Sequence, residues 1–147
     1  MAGSFIIIIS IFLWSGFICA ISFMESWLKF HAPGITMPVG LSIGKLVFSA
    51  LNKVEWAFAI LIVISIFLNS SKITSLDEIW FLLVAVILIV QTAWLLPALN
   101  NRAKTIISGK TLPPSSLHWY FVIAEFMKLL LLILFGVSLL NSIVQLK

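Results

Sequence analysis

Apolar residues run through this chain in four long stretches, and the polar residues inside them are the informative positions. Two stretches are clean: Phe5–Met24 is 20 residues without a charge and Ile79–Leu99 is 21. The other two are polar first and oily later. Lys45–Leu68 carries Lys45, Asn52, Lys53 and Glu55, then runs apolar from Trp56. Leu117–Leu140 carries His118, Glu125 and Lys128, then runs apolar from Leu129. About 20 apolar residues in a helix cross a hydrocarbon core about 30 Å thick. The pattern therefore predicts an all-α polytopic membrane protein, a single four-transmembrane-helix bundle over 1–147. Its helices fall at about 4–29, 38–69, 77–108 and 115–144.

Breaks in the pattern agree. His31-Ala-Pro-Gly34 and Pro38 separate the first two helices, and Asn69-Ser-Ser-Lys72 with Thr74-Ser75 separates the second from the third. Asp77 and Glu78 suit the positive end of a helix dipole in the first turn of helix three. Ser108-Gly-Lys-Thr-Leu-Pro-Pro114 ends helix three, and Ser115 or Ser116 can cap helix four. Pro97 removes one backbone hydrogen bond near the end of helix three and predicts a kink there, either a simple bend or a hinge. The first stretch lacks a basic leader and a small-residue cleavage site, so it reads as a retained helix.

Composition sharpens this picture. The chain is 62% hydrophobic and 10% charged, against about 25% charged for an ordinary soluble domain. Its polar residues are too few to cover a soluble core. The net charge of +4 sits at the ends of apolar runs, which points to topology and anionic lipid rather than nucleic acid. The single cysteine, Cys19, excludes an internal disulfide and a paired-thiol redox site, and reads as a small packing residue. Trp27, Trp80 and Trp119 fall near helix ends, as residues of an interfacial belt do.

Seven of nine Lys/Arg lie toward the end bearing the first and third connections: Lys29, Lys45, Lys53, Arg102, Lys104, Lys110 and Lys128. Lys72 and Lys147 lie toward the other. The positive-inside rule makes the rich end cytoplasmic and places both termini on the non-cytoplasmic side. In a bacterial cell, that is a multi-pass protein of the inner membrane.

Carboxylates inside such runs are expensive and are normally paired, protonated or functional. Counting back from Leu68 at about 1.5 Å per residue puts Glu55 about 20 Å from the outer boundary, in the cytoplasmic half. Lys45, Asn52 and Glu55 are spaced 0, 7 and 10, so they share one helical arc; His118, Glu125 and Lys128 repeat that spacing. Helices two and four run in the same direction, so the two stripes can face each other. Arg102 is the natural cross-helix partner for a carboxylate, because its fork matches two oxygens. Glu25 and Asn101 end helices one and three at the same level. The candidate site is therefore Glu55 and Glu125, with Asn52, Arg102, His118 and Lys128 positioning them and Glu25, Lys45 and Asn101 nearby. Such a cluster glues helices together, or holds a substrate, ion or lipid head group, or catalyses. No Glu-x-x-His pair, second facing histidine, P-loop or nucleophile triad accompanies it, so no metal or cofactor is expected.

Two resemblances add expectations. Phe12-Leu-Trp-Ser-Gly-Phe17, Gly44-Lys-Leu-Val-Phe48, Leu51-Asn52, Leu96-Pro97, Asn101-Arg102 and His118 occur in an order that resembles the domain-of-unknown-function 4149 family. Its members are four-helix membrane proteins related to transmembrane protein 205. That resemblance implies membrane location and topology without an activity; here Glu125 stands where the family pattern has Asn. Locally, Ala50-Leu-Asn52-Lys-Val-Glu55 resembles a signature of the membrane-associated eicosanoid and glutathione metabolism family. This second likeness implies a glutathione-dependent enzyme with Asn52 and Glu55 as glutathione contacts. The leading expectation is a protein that binds or moves a small polar or amphipathic ligand, or protons, rather than an enzyme. Lipid is its medium, and a homo-oligomer would supply a path too large for one chain. A glutathione-dependent enzyme and an assembly subunit are the alternatives.

Overall fold

The computed structural model describes residues 2–68 and 75–144. All regular structure among them is helical. Four helices are long and apolar enough to span a membrane: α1 (Gly3–His31), α2 (Met37–Leu68), α3 (Leu76–Ile107) and α4 (Leu117–Ser142). Where they fall on described residues, these bounds lie within two or three residues of the expected ones. The break at 69–74 and the charges of Lys72 and Lys147 lie outside the described residues.

α1 packs against α2 and α4, and α3 packs against the same two helices. The bundle is therefore an antiparallel ring in chain order, with α2 and α4 on a diagonal. The buried positions explain why. Ile7, Ile11, Trp14 and Ile18 on α1 alternate by four and three, as do Val84, Leu88, Gln91 and Leu95 on α3. On α4 the same alternation runs unbroken through Phe121, Glu125, Lys128, Leu132, Phe135 and Leu139. This is the seam of a knobs-into-holes bundle. Apolar seam positions make the half of the core away from the first and third connections, where Ile11, Ile62, Leu88, Leu132 and Phe135 are sealed. Gly136 lets α1 approach α4 closely: a Cβ there would lie 3.2 Å from side-chain atoms of Ile11 and Phe12.

The turns follow local chemistry. Gly34 and Gly109 take φ of +82° and +86°, where a side chain would be strained. At the end of α3 the Gly109 N–H bonds the Ile106 carbonyl and the Lys110 N–H bonds the Thr105 carbonyl, a Schellman closure. The Leu117 N–H donates to Ser115 Oγ at 3.2 Å, so Ser115 supplies the expected cap.

Two helices depart from the α form. α1 widens to a π-helix over Cys19–Glu25 and α3 over Gln91–Leu95. The second has a clear cause. Pro97 cannot donate to the carbonyl of Ala93, and its ring crowds that carbonyl. The chain answers with a wider turn, in which the Leu96 N–H bonds the Gln91 carbonyl five residues back. The disturbance expected at Pro97 thus lies one turn earlier, at Gln91 and Thr92.

Candidate functional site

The two polar stripes meet across the diagonal. Lys128 is fully buried, and its Nζ lies 2.5 Å from Glu55 Oε1, 3.0 Å from Glu125 Oε1 and 2.5 Å from Gln91 Oε1. An ammonium has three protons, and here three oxygens take them. Glu55 Oε1 also accepts from Trp14 Nε1 at 2.9 Å, and Glu125 Oε1 accepts from Gln91 Nε2 at 2.7 Å. All four helices contribute: Trp14, Glu55, Gln91 and the Glu125–Lys128 pair. Glu55 is 2% exposed, Gln91 1%, and Glu125 and Lys128 are sealed. Apolar seam residues close the cluster above, so this is a dry network in which each contact is strengthened by low dielectric. Glu125 Oε2 is buried and, among the described residues, accepts no hydrogen bond.

A second polar layer sits beside it between α2 and α3. Thr92 Oγ1 accepts from Asn52 Nδ2 and Trp56 Nε1, each at 2.9 Å, and donates to the Leu88 carbonyl at 2.8 Å. The π-turn carries both Gln91 and Thr92, so one local distortion aims two adjacent side chains at two polar layers.

Toward the basic end the bundle opens. A cavity of about 100 Å³ lies between the end of α1, the start of α2, the end of α3 and the start of α4. Lys29, Lys45, Asn100 and His118 supply its polar atoms, and Phe30, Phe48 and Phe121 its aromatic walls. Lys29 Nζ stands 5.1 Å from the Phe48 ring centroid and 5.5 Å from that of Phe30, within cation–π range. It also pairs with Glu25 Oε2 at 3.1 Å. Gly40 and Gly44 leave room for these groups. A Cβ on Gly40 would lie 2.2 Å from the Phe30 ring, and one on Gly44 3.0 Å from Lys29 Nζ.

The structure thus divides the candidate residues. Glu55, Glu125 and Lys128 converge, and Lys45 and His118 line the cavity two to three turns away. Asn52 bonds Thr92 rather than Glu55. Arg102 does not meet a carboxylate: its guanidinium donates to the Pro113 carbonyl at 2.5 Å and fastens the α3–α4 connection. The reason is reach, since Arg102 lies beyond the cavity from the sealed acids and Lys128 already fills the space between them. Asn101 is exposed and its neighbour Asn100 lines the cavity. Glu25 serves Lys29 rather than the buried cluster. Cys19 faces outward instead of packing in the core.

Besides Trp56, three participants were not singled out from the sequence: Trp14, Gln91 and Thr92. Trp14 sits in the middle of its apolar run, where an interfacial tryptophan has no reason to be. Gln91 and Thr92 are uncharged, but they are adjacent polar residues in the span Ile79–Leu99. Counting uncharged hydrogen-bonding groups inside spans finds all three. No family model, curated protein or solved structure matches the chain.

Proposed function

We propose that this protein binds an amphipathic anion, with its acidic head group in the cavity at the basic end and its apolar tail along the bundle. The observation that carries this is the pairing of Lys29, Lys45 and His118 with Phe30, Phe48 and Phe121 around one opening. The Lys29 and Lys45 ammonium groups recognise an anionic head group, His118 adds a hydrogen-bonding ring, and aromatic walls suit the first methylenes of a chain. Size supports the same choice. The cavity measures about 100 Å³. Whole organic ligands occupy pockets of about 300–1,000 Å³. A phosphate- or carboxylate-sized group fits, whereas a whole glutathione needs more room. Asn52 and Glu55, the glutathione contacts suggested by the local resemblance, are both engaged within the bundle. The bias of basic residues puts this opening in the cytoplasmic leaflet of a multi-pass membrane protein, with both termini on the other side.

The test is thermal unfolding of the full-length protein in detergent micelles, titrated with dodecyl phosphate and, separately, with uncharged dodecyl maltoside. Dodecyl phosphate should stabilise saturably, by the linkage that raises the melting point of any protein whose folded state binds a ligand. The combined Lys29→Gln and Lys45→Gln variant should lose that response. Equal stabilisation by both detergents, or an unchanged response in the variant, rejects the proposal.

A further inference from the structure

We infer that the sealed Glu55–Lys128–Glu125 cluster is a proton-binding site that holds one exchangeable proton on its two carboxylates, seated on Glu125 Oε2. This rests on different residues from the cavity and stands without it. The argument is a charge count in a closed space. With every group ionised, two carboxylates and one ammonium give 1 − 2 = −1. The groups that α1 and α3 turn toward the cluster are Trp14 and Gln91, and neither carries charge. α2 contributes Glu55 and α4 contributes Glu125 and Lys128. Among the described residues, nothing facing the cluster offsets the surplus negative charge. An unbalanced charge in a dry interior is strongly disfavoured even after relaxation.

Hydrogen bonding says which group takes the proton. Lys128 has spent all three of its N–H donors, and its contact with Glu55 is the shorter of its two ion pairs. Glu55 Oε1 is further held by Trp14. Glu125 Oε1 already accepts twice, while Oε2 accepts from nothing among the described residues and is buried. An ionised oxygen with no donor is the least stable acceptor in the cluster. A hydroxyl at that atom removes the surplus charge and leaves every other contact in place. Releasing the proton restores the charge of −1 to a dry site. Release is therefore tied to water reaching the cluster.

The experiment is infrared spectroscopy of the full-length protein in phosphatidylcholine vesicles at neutral pH, where exposed carboxylates are ionised. The native protein should give the carbonyl stretch of a protonated carboxylic acid, and that band should move in D2O. It should be lost in Glu125→Gln and also in Glu55→Gln, because each leaves one carboxylate for one ammonium. It should persist in Asp77→Asn, which removes the other sealed acid. No such band in the native protein, a band that survives either Gln substitution, or a band lost in Asp77→Asn overturns the inference. The native spectrum alone shows whether an acid is present, so the test does not depend on the variants folding.

Discussion

Lys128 of α4 reaches Glu55 of α2 across the diagonal of the bundle, with 2.5 Å between Nζ and Oε1. The two helices share no broad packing face, so this contact ties together elements that their neighbours alone would only align. Removing the ammonium should therefore hurt more than removing either acid. Lys128→Met leaves the buried charge of the Glu55–Glu125 pair without its cation, and we expect a loss of about 3–5 kcal/mol, the range for breaking a buried pair. Adding Glu55→Gln and Glu125→Gln to Lys128→Met should recover most of that loss. Thermal unfolding of the single and triple variants in one detergent checks the order. A triple variant no more stable than Lys128→Met sinks the account.

The difference between what could and could not be read in advance follows from the solvent. In lipid both the core face and the outer face of a helix are apolar, so hydrophobic periodicity does not say which way Ile11 or Leu132 points. Polar residues carry the facing information instead. The repeated spacing of Lys45, Asn52 and Glu55 with His118, Glu125 and Lys128 was enough to bring α2 and α4 together. Helix bounds were legible because span length is fixed by the bilayer and because Gly34, Gly109 and Ser115 mark turns and caps. The partner of the acids was not legible. Arg102 has the better fork for a carboxylate, but Lys128 lies one turn from Glu125 on the same seam, and only packing decides between reach and chemistry. Gln91 depends on the π-turn that Pro97 provokes, and no periodicity rule places a side chain across a change of helix type.

Trp14→Phe isolates the contribution of α1. The ring volume is largely kept, while the Nε1 donor to Glu55 is lost. A neighbouring carboxylate then lacks one of its two donors, at a cost of about 1–3 kcal/mol for an unsatisfied buried group. Trp94→Phe is the control, since Trp94 is 57% exposed on the outer face. Comparable destabilisation of the two variants in thermal unfolding contradicts the role given to Trp14.

Pro97→Ala should behave against the usual rule. A proline in a helix interior ordinarily costs about 3 kcal/mol relative to alanine, so its removal should stabilise. Here the new N–H can bond the Ala93 carbonyl and let α3 return to the α form. That change rotates Gln91 and Thr92 relative to the rest of α3 and pulls them from Lys128, Glu125 and Asn52. The expected result is a lower melting point than the native protein. A clear rise means the π-turn does not depend on Pro97.

Glu25 competes for Lys29. Its carboxylate holds Lys29 Nζ at 3.1 Å beside the cavity, and an anionic head group has to share that ammonium. Glu25→Gln should tighten dodecyl phosphate binding by up to about fivefold, the equivalent of a partly exposed ion pair worth about 1 kcal/mol at most. Added salt should shrink the gain. Weaker binding in Glu25→Gln shows instead that the carboxylate orients Lys29 for the ligand.

Gly44→Leu tests the cavity by filling it. The Gly44 position faces Lys29 Nζ, and a Cβ built there lies 3.0 Å from it, a contact that the flexible end of a lysine can relieve. The remaining leucine carbons then occupy much of a space of about 100 Å³ between Lys29 and Phe48. Overpacking costs typically about 1–3 kcal/mol in a closed core and should cost less at this open end. Stability without ligand should therefore change little, while the response to dodecyl phosphate should disappear. Gly16→Leu adds the same side chain where a Cβ meets nothing within 4 Å, on the outside of α1, and should leave the response intact. The comparison separates a filled site from a disturbed bundle, because both variants add equal bulk and only one adds it to the cavity. Binding that persists in Gly44→Leu moves the head group elsewhere.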